Sequence, residues 1–120
     1  MKLEMVGYWS NGNDSWPKPE ELIDDTWSLD EREDVASYLN HGLKARVYLG
    51  KAMCRICGVT LGYMDLTDGH YMWPQGLEHY VLEHSVRLPT WFVNHAQSQV
   101  ELFEDAETCD SQWSQVRIAN

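Results

Sequence analysis

Apolar residues first recur with a helical period after Ser28. Ser28-Leu29-Asp30-Glu31 has the capping-box arrangement, a hydroxyl at the N-cap and a glutamate three positions on, each able to satisfy a free amide of the first turn. Leu29, Val35, Ala36 and Leu39 then share one side, which predicts a helix to about Asn40, with Gly42 as its C-terminal stop. The period changes to two beyond that point. Leu43, Ala45, Val47 and Leu49 alternate with Lys44, Arg46 and Tyr48, the pattern of a half-buried strand. A second strand is expected over 59–66. Thr67-Asp68-Gly69-His70 then reads as a hairpin turn, with a short strand after it through Trp73. Pro74 suits the first turn of a helix, so Leu77, Tyr80, Val81 and His84 predict a helix from about Pro74 to His84. Pro89 closes the short segment after that helix. A last helix is expected over 90–104, with Trp91, Phe92, His95, Val100 and Phe103 pointing inward.

The two ends lack such periods. Turn formers crowd Trp9-Ser10-Asn11-Gly12-Asn13-Asp14-Ser15-Trp16-Pro17-Lys18-Pro19, so residues 1–27 read as an irregular arm. Trp9, Trp16 and Trp27 give that arm large apolar groups, and the expectation is that it wraps onto the body. Beyond about residue 107 the pattern fades, leaving Trp113 and Ile118 as candidates for docking. One domain of 120 residues is expected: the arm (1–27), a core (28–95), and a helix end with tail (96–120).

Within the core, Cys54-Arg55-Ile56-Cys57-Gly58 places two thiols at the spacing that grips one metal ion from a tight turn. The glycine permits the positive φ that aims backbone amides at sulfur. Redox pairs share this spacing, but they open a helix within a βαβ unit, and no helix is expected here. The second half is Gly76-Leu77-Glu78-His79-Tyr80-Val81-Leu82-Glu83-His84. Cys54, Cys57, His79 and His84 then form a Cys-x2-Cys-x21-His-x4-His set in the order knuckle, hairpin, helix, a variant of the Cys2His2 ββα finger that would hold Zn²⁺. Residues five apart on a regular helix sit about 140° apart around the axis. The expectation is therefore an irregular helix near Glu83–Ser85, or a set in which His70 or Cys109 replaces one histidine. The expected fold class is α+β: a small β-hairpin/ββα zinc-finger-like core with flanking helices and an irregular N-terminal arm.

Four protein ligands leave no position for water, so such a site is structural. With three, a vacancy would return, and Glu78 or Glu83 could serve as the general base of a zinc-dependent hydrolase. No HExxH, Gly-x-Ser-x-Gly or phosphate-binding loop is present. His41 reads as a dipole partner at a helix end and His70 as an exposed turn residue, while His95 fits either core or surface. Three cysteines without an apolar leader point to a reducing, cytoplasmic setting, and no apolar run reaches the length of a membrane span.

Net charge is −10, and its distribution matters more than its size. Residues 1–34 carry ten carboxylates against Lys2, Lys18 and Arg32, and residues 96–120 carry five against Arg117. The middle, 35–95, is nearly neutral. Such acidity disfavours nucleic-acid backbones. It marks Glu20, Glu21, Asp24, Asp25, Asp30 and Glu31 as candidates for meeting a basic partner.

The stretch from Leu66 to Val81, with Asp68-Gly69, Tyr71, Trp73-Pro74, Gly76-Leu77 and His79-Tyr80-Val81, and beyond it His84 and Val86-Arg87-Leu88-Pro89, carries a resemblance. With Tyr8-Trp9-Ser10-Asn11-Gly12 and Cys54-Arg55-Ile56-Cys57-Gly58, it resembles a set of small uncharacterised bacterial proteins. The resemblance covers most of residues 8–95 and implies a bacterial cytoplasmic origin and one unit of arm and finger; it carries over no catalytic residue. The reading that results is a non-enzymatic zinc protein acting by protein–protein interaction, in its sharpest form an acidic immunity or antitoxin-type inhibitor of a basic toxin or effector. The alternatives are a sequence-specific nucleic-acid-binding regulator and a small zinc-dependent hydrolase.

Overall fold

A computed structural model describes residues 1–117. The fold is α+β. Four strands, β1 (Glu4–Met5), β2 (Leu43–Met53), β3 (Thr60–Thr67) and β4 (Tyr71–Pro74), form one sheet in the order β1-β4-β3-β2. β1 lies parallel to β4, and the other neighbours are antiparallel. Three helices, α1 (Leu29–Asn40), α2 (Leu77–His84) and α3 (Thr90–Glu104), pack over the β4 end of the sheet. No helix among the described residues is long and apolar enough to cross a membrane.

α1 begins where the capping box places it, with the Ser28 hydroxyl accepting from the Glu31 amide at 3.3 Å. The Glu31 carboxylate does not reciprocate; it accepts from the Trp27 indole at 2.5 Å and so docks the end of the arm. Val35, Ala36 and Leu39 are buried, whereas Leu29 is 52% exposed because the first turn projects beyond the core. Gly42 differs from expectation. His41 caps α1 with φ −102°, and Gly42 is a close-approach glycine instead: a Cβ there would sit 2.7 Å from the Trp73 ring and 2.9 Å from Leu66 Cβ. Trp73 is fully buried, and its indole donates to Leu39 O at 3.0 Å.

Three further expectations are corrected. Pro74 is the last residue of β4 and not the first of a helix; its lack of an N–H is harmless at a strand end, and Gly76, with φ 94°, turns the chain into α2. α3 has the expected bounds but buries Phe92, Val93 and Ala96, leaving Trp91 and Phe103 exposed. β2 is not half-buried: all eleven of its residues are exposed. The buried cluster under the helices draws on Leu66 of β3 and Tyr71 and Trp73 of β4 and on no residue of β2, which is left as the uncovered edge of a long hairpin.

The arm does wrap onto the body. Val6 and Trp27 are buried, Trp9 meets Tyr80 edge to face at 5.3 Å, and Ile23 bridges Val86, while Trp16 stays largely exposed. The Arg55 guanidinium donates to the Ser10 carbonyl and pins the middle of the arm to the knuckle. Beyond α3 the tail is exposed and Trp113 does not dock; Ile118 lies outside the described residues.

Candidate metal centre

The knuckle forms at the tip of the β2–β3 hairpin. The Cys54 amide donates to Val59 O at 2.7 Å and the Gly58 amide to Cys54 O at 2.8 Å, closing a tight turn in which Gly58 adopts φ 80°. That geometry aims the Ile56 amide at Cys54 Sγ, 3.4 Å away. β3 and β4 then return the chain to α2, which presents both histidines. Ligand atoms of Cys54, Cys57, His79 and His84 all lie within 4.8 Å of one another, close enough to hold a metal ion. The result is a zinc-finger-like core embedded in a larger domain. Among the described residues no carboxylate and no other histidine or cysteine joins this group, so neither His70 nor Cys109 is part of it.

The donor chemistry fits a metal. Cys57 Sγ lies 3.3 Å from His79 Nε2. His84 Nε2 is buried without any hydrogen-bond partner, a cost that coordination would remove. Burial pushes the Cys54 thiol up. Hydrogen bonds from the Cys57 and Ile56 amides, the Cys57 side chain and Tyr80 outweigh that effect and hold it below its ordinary value, which favours the thiolate a metal requires.

α2 stays regular through His84. The break falls at Ser85, with φ 51° and ψ 31°, where the Ser85 and Val86 amides both turn back to Tyr80 O. Arg32 fixes that end from α1, donating to Leu82 O at 3.1 Å and to Ser85 Oγ at 3.0 Å. The expected irregularity near Glu83–Ser85 is therefore confined to the residue after the second histidine.

Two supports of the knuckle have no marker in the sequence. The Tyr80 hydroxyl accepts the Arg55 amide at 2.9 Å, and the Arg55 side chain reaches the arm. The glutamates considered as bases stand apart: Glu83 is exposed, and Glu78 lines a hollow against α1 with Ala36, Asn40 and His41. Of the acidic candidates, Glu20, Glu21, Asp25 and Asp30 are exposed. Asp24 is instead committed to the fold by an ion pair with Arg87 at 2.6 Å; bonds from Thr26 and Arg87 bring its pKa down to about 2. Glu31 is committed to Trp27.

A second polar cluster joins α1, the β3–β4 turn and α3. Asp68 accepts from the Tyr38 hydroxyl, from the His70 and Tyr71 amides at 2.9 and 2.8 Å, and from His95 Nε2 at 2.8 Å. An ionised carboxylate only accepts, so this last bond requires the proton on Nε2. His70 stacks on His95 with centroids 5.4 Å apart. With all its lone pairs met by donors of the chain, Asp68 organises the turn. Comparison of the chain with protein-family models, with curated proteins and with solved structures finds no match.

Proposed function

We propose that the chain is a zinc-stapled, non-enzymatic binding protein that acts through its acidic arm on a basic protein partner, in the manner of an immunity protein or antitoxin. The observation that carries this reading is the convergence of two thiols and two imidazoles with no carboxylate beside them. A set of four nitrogen and sulfur donors suits Zn²⁺ and leaves no position for a reacting water. Bound there, zinc would tie the hairpin tip to α2 and stiffen the scaffold that displays the arm. The exposed Glu20, Glu21 and Asp25 supply the charge that would steer a basic surface.

Two measurements test it. Metal analysis of the purified chain is expected to find one zinc per chain, lost in Cys54→Ser. Co-expression with a basic toxin encoded beside the gene is expected to protect the cell, and protection should fail when Glu20, Glu21 and Asp25 are changed to lysine. Undiminished protection by that variant, or full zinc in Cys54→Ser, would overturn the reading.

A further inference from the structure

The four donors of the centre are not equally sheltered. Cys54 is only 3% exposed and both histidines are half-buried, whereas Cys57 is exposed. The two sulfurs lie within 4.8 Å of each other. An accessible thiolate beside a second, sheltered one is the arrangement in which oxidation stops at a disulfide, because the second sulfur captures the first before it is oxidised further. The chain passes from the knuckle straight into β3, so the pair opens no helix and lacks the setting of a thiol–disulfide exchange catalyst.

Both sulfurs belong to one site, which makes its response all-or-none. A disulfide removes two of the four donors in a single event and leaves two imidazoles, fewer than the three or four protein ligands that zinc sites use. Closing the gap between the sulfurs to a bond of about 2 Å also moves the residues between them. Arg55 is one of those residues. Its amide donates to the Tyr80 hydroxyl at 2.9 Å and its guanidinium to the Ser10 carbonyl, so it ties both α2 and the arm to the knuckle.

Resting on the zinc reading above and adding its regulation, we propose that the knuckle is a peroxide-sensitive clasp on the arm. Oxidation joins Cys54 to Cys57, ejects Zn²⁺ and frees the arm residues that Arg55 holds. The Cys57 thiolate attacks hydrogen peroxide: an S–O bond forms, the O–O bond breaks, and hydroxide leaves. The Cys54 thiolate then attacks Cys57 Sγ: the S–S bond forms, the S–O bond breaks, and a second hydroxide leaves. The two thiolates lose two electrons. Peroxide gains them and, with two protons from the solvent, becomes two water molecules. Zinc leaves with its charge unchanged.

The zinc-loaded full chain carrying Cys109→Ser, which removes the exposed thiol outside the site, tests this. Hydrogen peroxide is expected to release one zinc per chain to a chromophoric chelator and to lower the mass of the chain by two hydrogens. Trypsin cuts after Arg55, between the two cysteines, so the Cys54–Cys57 bond is expected to hold two tryptic peptides together until they are reduced. Proteolysis within residues 9–17 is expected to quicken several-fold, and dithiothreitol with added zinc should restore the resistance. Absence of zinc before any oxidant is added would defeat the zinc reading and this proposal with it. Zinc present at the start but retained under peroxide would overturn the proposal alone. So would sulfinic acid on Cys57 without the disulfide, or a disulfide that leaves the arm as resistant as before.

Discussion

His79 and His84 face each other across α2 with ring centroids 5.0 Å apart and ring planes at 73°. On a regular helix their Cβ positions diverge by about 140°, so the imidazoles converge by leaning from opposite flanks of one side of the helix. Nothing inside α2 alone rewards that approach. The cysteines of the knuckle, with a metal between, would.

Chelation is therefore expected to act locally first. Zinc contributes about 10–16 kcal/mol to the folding of zinc-finger peptides, whereas here the buried group that includes Trp73 and Phe92 takes only Cys54 from the knuckle, with Ile56 packed against it, and draws the rest from the arm, the helices and the sheet. Removing zinc should expose the Cys54 and Gly58 amides, which close the turn, to hydrogen exchange, while the α1 and α3 amides keep most of their protection. Uniform loss of protection would mean that the metal holds the whole domain.

Gly42→Ala is expected to destabilise the chain by about 1–3 kcal/mol, because the added methyl meets the Trp73 ring at 2.7 Å and neither side can move freely. Zinc binding should be unaffected. A lower urea midpoint with unchanged metal affinity is the expected result. An unchanged midpoint would show that Gly42 serves only the end of α1.

Asp68 sets a pH limit. Burial raises its pKa, but the bonds from Tyr38, the Tyr71 and His70 amides and His95 prevail and hold the carboxyl below its ordinary value. A depressed carboxylate favours the folded chain once ionised. Its contribution is full above about pH 4, the value in an unfolded chain, and is lost as pH falls through the folded value. Asp68→Asn is expected to cost about 1–3 kcal/mol at pH 7 and to flatten the loss of stability below pH 4. Tyr38 runs the other way: burial and the Asp68 bond raise its phenol, so its contribution fades as pH rises above about 10. Urea titrations at several pH values would check both limbs.

How much of the molecule is legible in its sequence depends on how local each cause is. Ser28 caps a helix through a bond three residues away, and α3 begins directly after Pro89, so both helices can be placed from their own residues. The four donors are legible for the same reason, since each pair lies within one local element, the cysteines in the knuckle and the histidines on α2. β2 misleads because burial is decided by what packs above a strand, and its alternation is the same whether a helix covers it or not. Gly42 misleads because its reason lies in Trp73, thirty-one positions on. The Asp68–His95 bond joins residues twenty-seven apart, with no spacing rule to announce it.

Tyr80 offers the sharpest test of how the knuckle is supported. Its hydroxyl accepts the Arg55 amide, while the Arg55 guanidinium serves the arm, so the two functions can be separated. Tyr80→Phe keeps the ring against Trp9 but leaves that amide without its acceptor and removes one of the bonds that favour the Cys54 thiolate. Loss of an outer support of this kind typically lowers metal affinity about 10–100-fold. Competition with a chromophoric chelator is expected to show a weakening in that range, with the arm as resistant to protease as in the wild type. Arg55→Ala should do the reverse: cleavage within residues 9–17 becomes easier, and zinc affinity changes little because the backbone amide still reaches Tyr80. If both variants weaken zinc equally, arm and knuckle are one cooperative unit, and the hydroxyl has no separate role at the metal.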